Sequence, residues 1–321
     1  CKRGLILPNH LNRITDLLNK VLLFEVNRGG FCTGSIVRDS ACYVVWALAR
    51  AYTPDVMKPL VEKMSTCLIL SMLFDKEVII RRAASAAFQE HVGRQGYFPH
   101  GIEIITESDY FTLGNRTNSY LNISLFVAQY EEYQESIITY VSTDRLYHAD
   151  IQIRENSAEL LGLLVPFNKN IFLNKVISSI QSKLFDSNIF TRHGAILGIS
   201  YILVGLKGKW DFEYKSRIIR LRVLESMSQS EKKVLEDSDY RKEFENKYSQ
   251  IKFTDYFNDI SSDLLTQLLS IPREYSKQGL LTSKGAEIMR IGVNKFIKLI
   301  SICEAPLDEN VFFNYIDILL D

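Results

Sequence analysis

Ser35-Ile36-Val37-Arg38-Asp39-Ser40-Ala41-Cys42 reads as small polar or acidic residue, short gap, β-branched residue, arginine, then a run of small apolar residues. The phrase returns over 75–84 with Arg81 and Arg82. It returns again as Asp150-Ile151-Gln152-Ile153-Arg154-Glu155-Asn156-Ser157-Ala158, and a fourth time as Asp186-Ser187-Asn188-Ile189-Phe190-Thr191-Arg192-His193-Gly194-Ala195. The arginines at 38, 81, 154 and 192 stand 43, 73 and 38 residues apart, and Arg116 falls near the middle of the long gap in poorly matching surroundings. A period near 40 marks helix-pair repeats of the HEAT or armadillo kind, which build surface more often than active sites.

Inside each phrase the physics is helical. Val37, Ala41, Val44 and Leu48 share one helix face. Ala83, Ala84, Ala86 and Ala87 are small enough for a neighbouring helix to approach, Phe88 belongs to the core, and Asp75 is placed to cap the helix that follows it. A longer apolar helix precedes three of the phrases, over 59–74, 121–141 and 168–185. No alternating strand pattern of useful length is present. The expected fold is all-α, a HEAT/armadillo-like α-solenoid of stacked helical hairpins. Repeats are expected over 1–224 with an irregular corner at 93–116, a charged connector or insertion at 225–250, and further hairpins of the same solenoid over 251–321. In the corner, 102–113 is expected to include a short helix.

Composition narrows the function classes. Lysine plus arginine number 38 and aspartate plus glutamate 38, so the formal charge is zero, which argues against nucleic acid or an anionic membrane as partner. The five cysteines, at 1, 32, 42, 67 and 303, have no metal-knuckle spacing and read as small buried hydrophobes in a reducing compartment. The chain starts without Met or a targeting pattern and reads as a piece of something longer. The sequons at Asn115 and Asn122 read as chance. The apolar stretch 195–206 is too short to cross a bilayer and reads as a buried helix.

No catalytic constellation rises above background. Gly29-Gly30-Phe31-Cys32-Thr33-Gly34-Ser35 lacks the Lys-Ser/Thr pair of a P-loop and reads as a flexible inter-helix loop. Gly205-Leu206-Lys207-Gly208-Lys209 reads as a helix C-terminal turn. The histidines at 10, 91, 100, 148 and 193 form no zinc or triad pattern, His193 reads as packed or surface, and Glu131-Glu132 as a polar helix face. No cofactor and no metal are expected. Arg38, Arg81, Arg154 and Arg192 are expected to be structural, each pairing with an acidic residue of the adjacent repeat. The irregular corner joins arginine to aromatics, the residue types enriched at protein interfaces. Its candidate partner-binding residues are Arg94, Gln95, Phe98, His100, Asp109, Tyr110 and Arg116; the alternative is that Tyr97, Phe98, Tyr110 and Phe111 fold back to plug the gap between repeats.

Three lengths of sequence are more distinctive than a generic repeat: Val37-Arg38-Asp39-Ser40-Ala41-Cys42-Tyr43-Val44-Val45-Trp46-Ala47-Leu48-Ala49-Arg50-Ala51-Tyr52, then Arg81 through Gly96, then Phe98-Pro99-His100-Gly101-Ile102 with Asp109-Tyr110-Phe111 and Gly114-Asn115-Arg116. Together they resemble the tubulin-folding cofactor D family over roughly 29–116; beyond 117 the likeness is to helical repeats in general. His91 stands where the family has Asn. The resemblance implies a cytoplasmic, non-catalytic scaffold, associated with microtubules or the centrosome. It implies β-tubulin, other tubulin-folding cofactors and an Arf-like small GTPase as partners, with assistance to GTP hydrolysis by tubulin itself. An importin- or adaptin-like adaptor for transport is the alternative that the repeat alone leaves open.

Overall fold

The computed structural model describes residues 6–28, 31–208, 255–283 and 286–320. The expected charged connector at 225–250 lies outside them, as do 209–224. The chain divides into two compact units, Cys1–Tyr140 and Val141–Asp321. Both are built of α-helical hairpins, the all-α solenoid architecture that the spacing of the arginines predicts.

The first unit runs α1 (Leu11–Leu22), β1 (Val26–Arg28), β2 (Phe31–Thr33), α2 (Ser35–Ala51), α3 (Val61–Phe74), α4 (Val78–Gln95), α5 (Gly101–Glu107), the composite α6 (116–127) and α7 (Glu131–Thr143). α1 packs on α2, α3 packs on α4, and α2 and α4 lie side by side. Leu22, Val45, Leu48, Met64, Leu68, Leu73, Phe74, Ala84, Ala87 and Phe88 are fully buried between them. The flanks of Gly29-Gly30 correct the loop expectation: they pair as an antiparallel hairpin with Val26 opposite Thr33. Strands of three residues are too short to display a readable alternation.

The apolar run 121–141 divides. α6 is a helical turn at Arg116–Asn118, a π-turn at Ser119–Ile123 and a further turn at Ser124–Val127, and the chain bends before α7 begins. Asn115 starts it by accepting the Asn118 N–H at 3.0 Å, so this sequon asparagine is a cap. The second unit repeats the device. Asn168 accepts the Ile171 N–H, and a π-turn at Phe172–Val176 interrupts α9 (169–181).

Also in the second unit are α8 (Ile151–Leu164), α10 (Ile189–Lys207), α11 (Ser262–Leu269), α12 (Ile271–Lys277), α13 (Glu287–Cys303) and α14 (Glu309–Leu320). α10 is long and apolar enough to cross a bilayer by composition, yet every residue from His193 to Leu206 is buried, because α8 and α13 both pack on it. Glycine makes that approach possible. A Cβ at Gly205 would lie 2.3 Å from the Gly162 carbonyl oxygen of α8, and one at Gly194 would lie 1.9 Å from that of Leu146 in the turn at Arg145–Tyr147 before α8.

The repeat arginines explain the phrase. Each is the fourth residue of its helix. Arg81 Nη1 donates to the carbonyls of Asp75 and Lys76 at 2.9 and 3.1 Å. Arg154 Nη1 does the same to His148 and Ala149 at 2.7 and 2.8 Å, and Arg192 Nη1 to Asp186 and Ser187 at 2.7 and 3.1 Å. In all three the acceptors are six and five residues upstream, in the turn that enters the helix. That turn is itself fixed, since the side chains of Asp75, His148 and Asp186 each accept the N–H two residues on. Asp75 therefore does not cap α4 directly; the cap position is Glu77.

The other edge of the guanidinium reaches forward. Arg38 Nε and Nη2 grip the Asp75 carboxylate at 2.6 and 3.1 Å, Arg81 Nε and Nη2 take the Leu113 and Gly114 carbonyls, and Arg154 Nε donates to His193 Nδ1 at 3.0 Å. The expected acidic partner is thus found for Arg38; Arg81 and Arg154 meet carbonyls and an imidazole instead. Backbone oxygens satisfy a buried guanidinium without the desolvation cost of a second full charge.

Arg38 and Asp75 are only 4% and 6% exposed. Removing either partner alone strands the other charge, so Arg38→Met and Asp75→Asn should each cost roughly 3–5 kcal/mol. The double variant should recover a large part of that loss in urea unfolding followed by circular dichroism.

Candidate functional site

The corner after α4 begins where Gly96 takes a left-handed conformation, φ 68°, and ends α4. From there the seven candidate residues separate into two groups. Gln95 is 4% exposed and its amide donates to the carbonyls of Ala49 and Tyr52, at 2.7 and 3.2 Å. Phe98 is 5% exposed and stacks flat on His91 with centroids 4.9 Å apart, its other neighbour being Phe88 at 5.0 Å. Both side chains seal the repeat and present nothing to a partner. Arg116 is half-buried at the start of α6.

The others face outward. Arg94 pairs with Glu90 one turn below it on α4. His100 sits in the left-handed region at φ 52°, stacks on Tyr130 with centroids 3.8 Å apart, and holds Nε2 3.5 Å from Glu132. Asp109 folds the loop by accepting the N–H groups of Phe111 and Thr112. Tyr110 is 58% exposed and Phe111 65%, with the Arg82 guanidinium 3.6 Å above the Tyr110 ring centroid. Part of the corner therefore plugs and part displays.

A second cluster was not singled out from sequence. On α2, Tyr43 is 68% exposed and stacks on Trp46, Arg50 lies over the Trp46 ring at 4.6 Å, and Glu90 of α4 joins Arg50 to Arg94. The clue was present in the spacing: Tyr43 and Arg50 lie seven residues apart, two turns up one helix face, while Val45 and Leu48 fill the opposite one.

Electrostatics mark rigidity more than reactivity. Burial pushes the Cys42 thiol up to about 12 and the Cys67 thiol up to about 11, so both stay protonated and unreactive. Arg81 and Arg154 are lowered to about 10, chiefly by burial, and remain charged near neutrality. His91 is brought down to about 4 by burial while its Nε2 meets the Val45 carbonyl at 3.0 Å. His193 falls to about 3 through burial and the neighbouring Arg154 and Lys295.

Residues 1–102 match the family described as tubulin-specific chaperone D-like, ARM repeats. Over those residues the chain is similar to the ARM repeats of tubulin-specific chaperone D. The chain is 31% identical over 312 residues to a protein of Dictyostelium discoideum named tubulin-specific chaperone D, which covers 97% of this chain and 18% of that relative. It is 29% identical over 177 residues to the tubulin-folding cofactor D of Schizosaccharomyces pombe, covering 54% of this chain and 16% of that protein. The chain thus spans less than a fifth of the length of these curated relatives. No solved structure matches it.

Two measurements check this account of the site. Phe98→Ala should destabilise the first unit by about 3–5 kcal/mol, the cost of emptying a buried aromatic position, whereas Tyr110→Ala should leave the melting temperature nearly unchanged. Both buried histidines are depressed from their ordinary 6.5, so their stabilising contribution is complete above that pH. It is lost as the pH falls from 6.5 toward 4 for His91 and toward 3 for His193, because the unfolded chain takes up protons that the folded one refuses. Hydrogen exchange at stepped pH should show α4 loosening over this window, by about 3 kcal/mol at the lower end, and His91→Gln should flatten the trend.

Proposed function

We propose that this chain is a non-catalytic scaffold segment of a tubulin-folding cofactor. In this reading it binds β-tubulin and partner cofactors while the tubulin heterodimer is assembled and taken apart, in the cytoplasm. The observation that carries the reading is the 31% identity to a protein named tubulin-specific chaperone D, sustained over 97% of the chain. Two properties of the fold support it. The titratable groups that are strongly perturbed are buried and serve packing, and the first unit displays aromatic and guanidinium groups in the combination that dominates binding energy at protein interfaces.

Assistance to GTP hydrolysis belongs to the same proposal. The nucleotide stays on tubulin, and the scaffold acts by holding tubulin in a favourable arrangement, together with other cofactors and an Arf-like small GTPase. The zero formal charge supports protein partners over nucleic acid or membrane. Within the corner, the surface that such a partner can reach is Arg94, His100, Asp109 and Tyr110.

Crosslinking mass spectrometry of the complex with β-tubulin tests the proposal directly. Links from β-tubulin to lysines of the first unit, such as Lys58 and Lys76, are expected. Arg94→Glu combined with Tyr110→Ala should weaken the complex about 10-fold with little change in melting temperature. Recovery of transport cargo or coat proteins in place of tubulin and its cofactors would overturn it.

A further inference from the structure

α14 is apolar on two sides. Its sequence is Glu-Asn-Val-Phe-Phe-Asn-Tyr-Ile-Asp-Ile-Leu-Leu, in which the apolar residues outnumber the polar ones on every turn but the first. Val311 and Tyr315 are buried where α14 packs on α12, and the Tyr315 hydroxyl donates to the Leu269 carbonyl at the end of α11 at 2.6 Å. That accounts for one side. At about 100° per residue, Phe312, Phe313, Ile316, Leu319 and Leu320 fall within an arc of roughly 120° on the other side. All five face solvent: Phe312 is 50% exposed, Phe313 55%, Ile316 37%, Leu319 52% and Leu320 80%. A helix that is apolar all round belongs in a buried setting, and five large apolar side chains gathered on one short helix mark an interaction surface.

The charges around this arc are mostly of one sign. Glu304, Asp308, Glu309 and Asp317 are exposed, and no lysine, arginine or histidine occurs over 304–320. Asp308 and Glu309 stand at the start of the arc, where Asp308 also accepts the Val311 N–H and so begins the helix, and Asp317 stands beside it. The neighbouring helices do not offset this. α11 and α12 carry Asp263 and Glu274 against Arg273 and Lys277, and Lys277 is paired with Glu274. Lys298 is the one cation in the last two turns of α13; further up that helix Lys295 is paired with Glu155, and Glu287 and Arg290 cancel. Among the described residues around α14, six carboxylates thus stand against the three cations Arg273, Lys277 and Lys298.

We infer that the outer face of α14 docks a cationic amphipathic helix of a protein partner, one whose apolar stripe is flanked by lysine or arginine. The five exposed apolar side chains take the stripe, and Glu309 and Asp317 meet cations along its edges. The same carboxylates oppose the other ways of covering an apolar helix. They are repelled by an anionic membrane surface, and in a symmetric dimer through α14 they would face one another. The face lies in the second unit and uses none of the corner residues, so the inference stands or falls apart from the function proposed above.

Fluorescence anisotropy on the whole chain tests this, with two labelled helical peptides of about 16 residues, long enough to cover α14. The two share one apolar stripe and differ only in carrying Lys or Glu on its flanks. The Lys peptide should bind at least about 10-fold tighter than its Glu twin, with the gap closing as salt is raised. Phe313→Ala with Ile316→Ala trims the arc at exposed positions and keeps good helix formers there. It should weaken the Lys peptide about 10-fold with unchanged melting temperature. Asp317→Lys should lower the affinity for the Lys peptide and raise that for the Glu peptide, a reversal that loss of structure cannot produce. Equal affinity for the two peptides, no measurable binding of the Lys peptide, or an unaltered preference in Asp317→Lys would each overturn the inference. So would sedimentation of the chain alone as a dimer that Phe313→Ala with Ile316→Ala dissociates, since the occupant would then be a second copy.

Discussion

A guanidinium taken out of water must have its donors met by fixed acceptors, because an unpaired buried charge costs more than most single contacts supply. The order of this chain depends on that requirement. Arg81 and Arg154, 2% and 1% exposed, each join the turn that enters their own helix to the segment that stacks next. Hydrophobic burial alone would let one hairpin slide or rotate on its neighbour, since apolar contact is non-directional. The arginine's fixed fork of donors removes that freedom. Fixed helices in turn allow the close fits elsewhere, such as Gly194 and Gly205 against facing carbonyls.

Most of the fold was legible because the arginine phrase and the helical face share one register. The positions of α2, α4, α8 and α10 follow from it within a few residues. What escaped were features without a period: a hairpin of two three-residue strands, and the division of the apolar run 121–141 by a π-turn and a bend. Composition cannot distinguish a helix that continues from one that turns when both sides of the turn are buried. The partners of the arginines were only partly legible for a similar reason. Asp75 is visible as a letter, but the carbonyls that Arg81 and Arg154 use belong to every residue alike.

The site was legible by residue type and less so by orientation. Arginine and aromatic residues in a glycine-rich corner identify a place where the repeat is interrupted, but not which rings point in. Phe98 turns inward because His91 and Phe88 leave a flat slot for it; Tyr110 turns outward because Asp109 ties the loop backbone and Arg82 holds the ring from above. The α2 cluster of Tyr43, Trp46 and Arg50 carries no such mark, because it sits on a regular helix with no interruption in the repeat. Its location relative to the corner exists only once α4 is between them.

The clamp at Arg81 holds the corner by the oxygens of Leu113 and Gly114, and backbone oxygens are the same whatever side chains the loop carries. Anchorage and display are therefore written in different parts of the same residues. The loop can trade one exposed side chain for another over evolutionary time without loosening the helix it is fastened to. A fold made this way can change what it displays while its skeleton stays as it is.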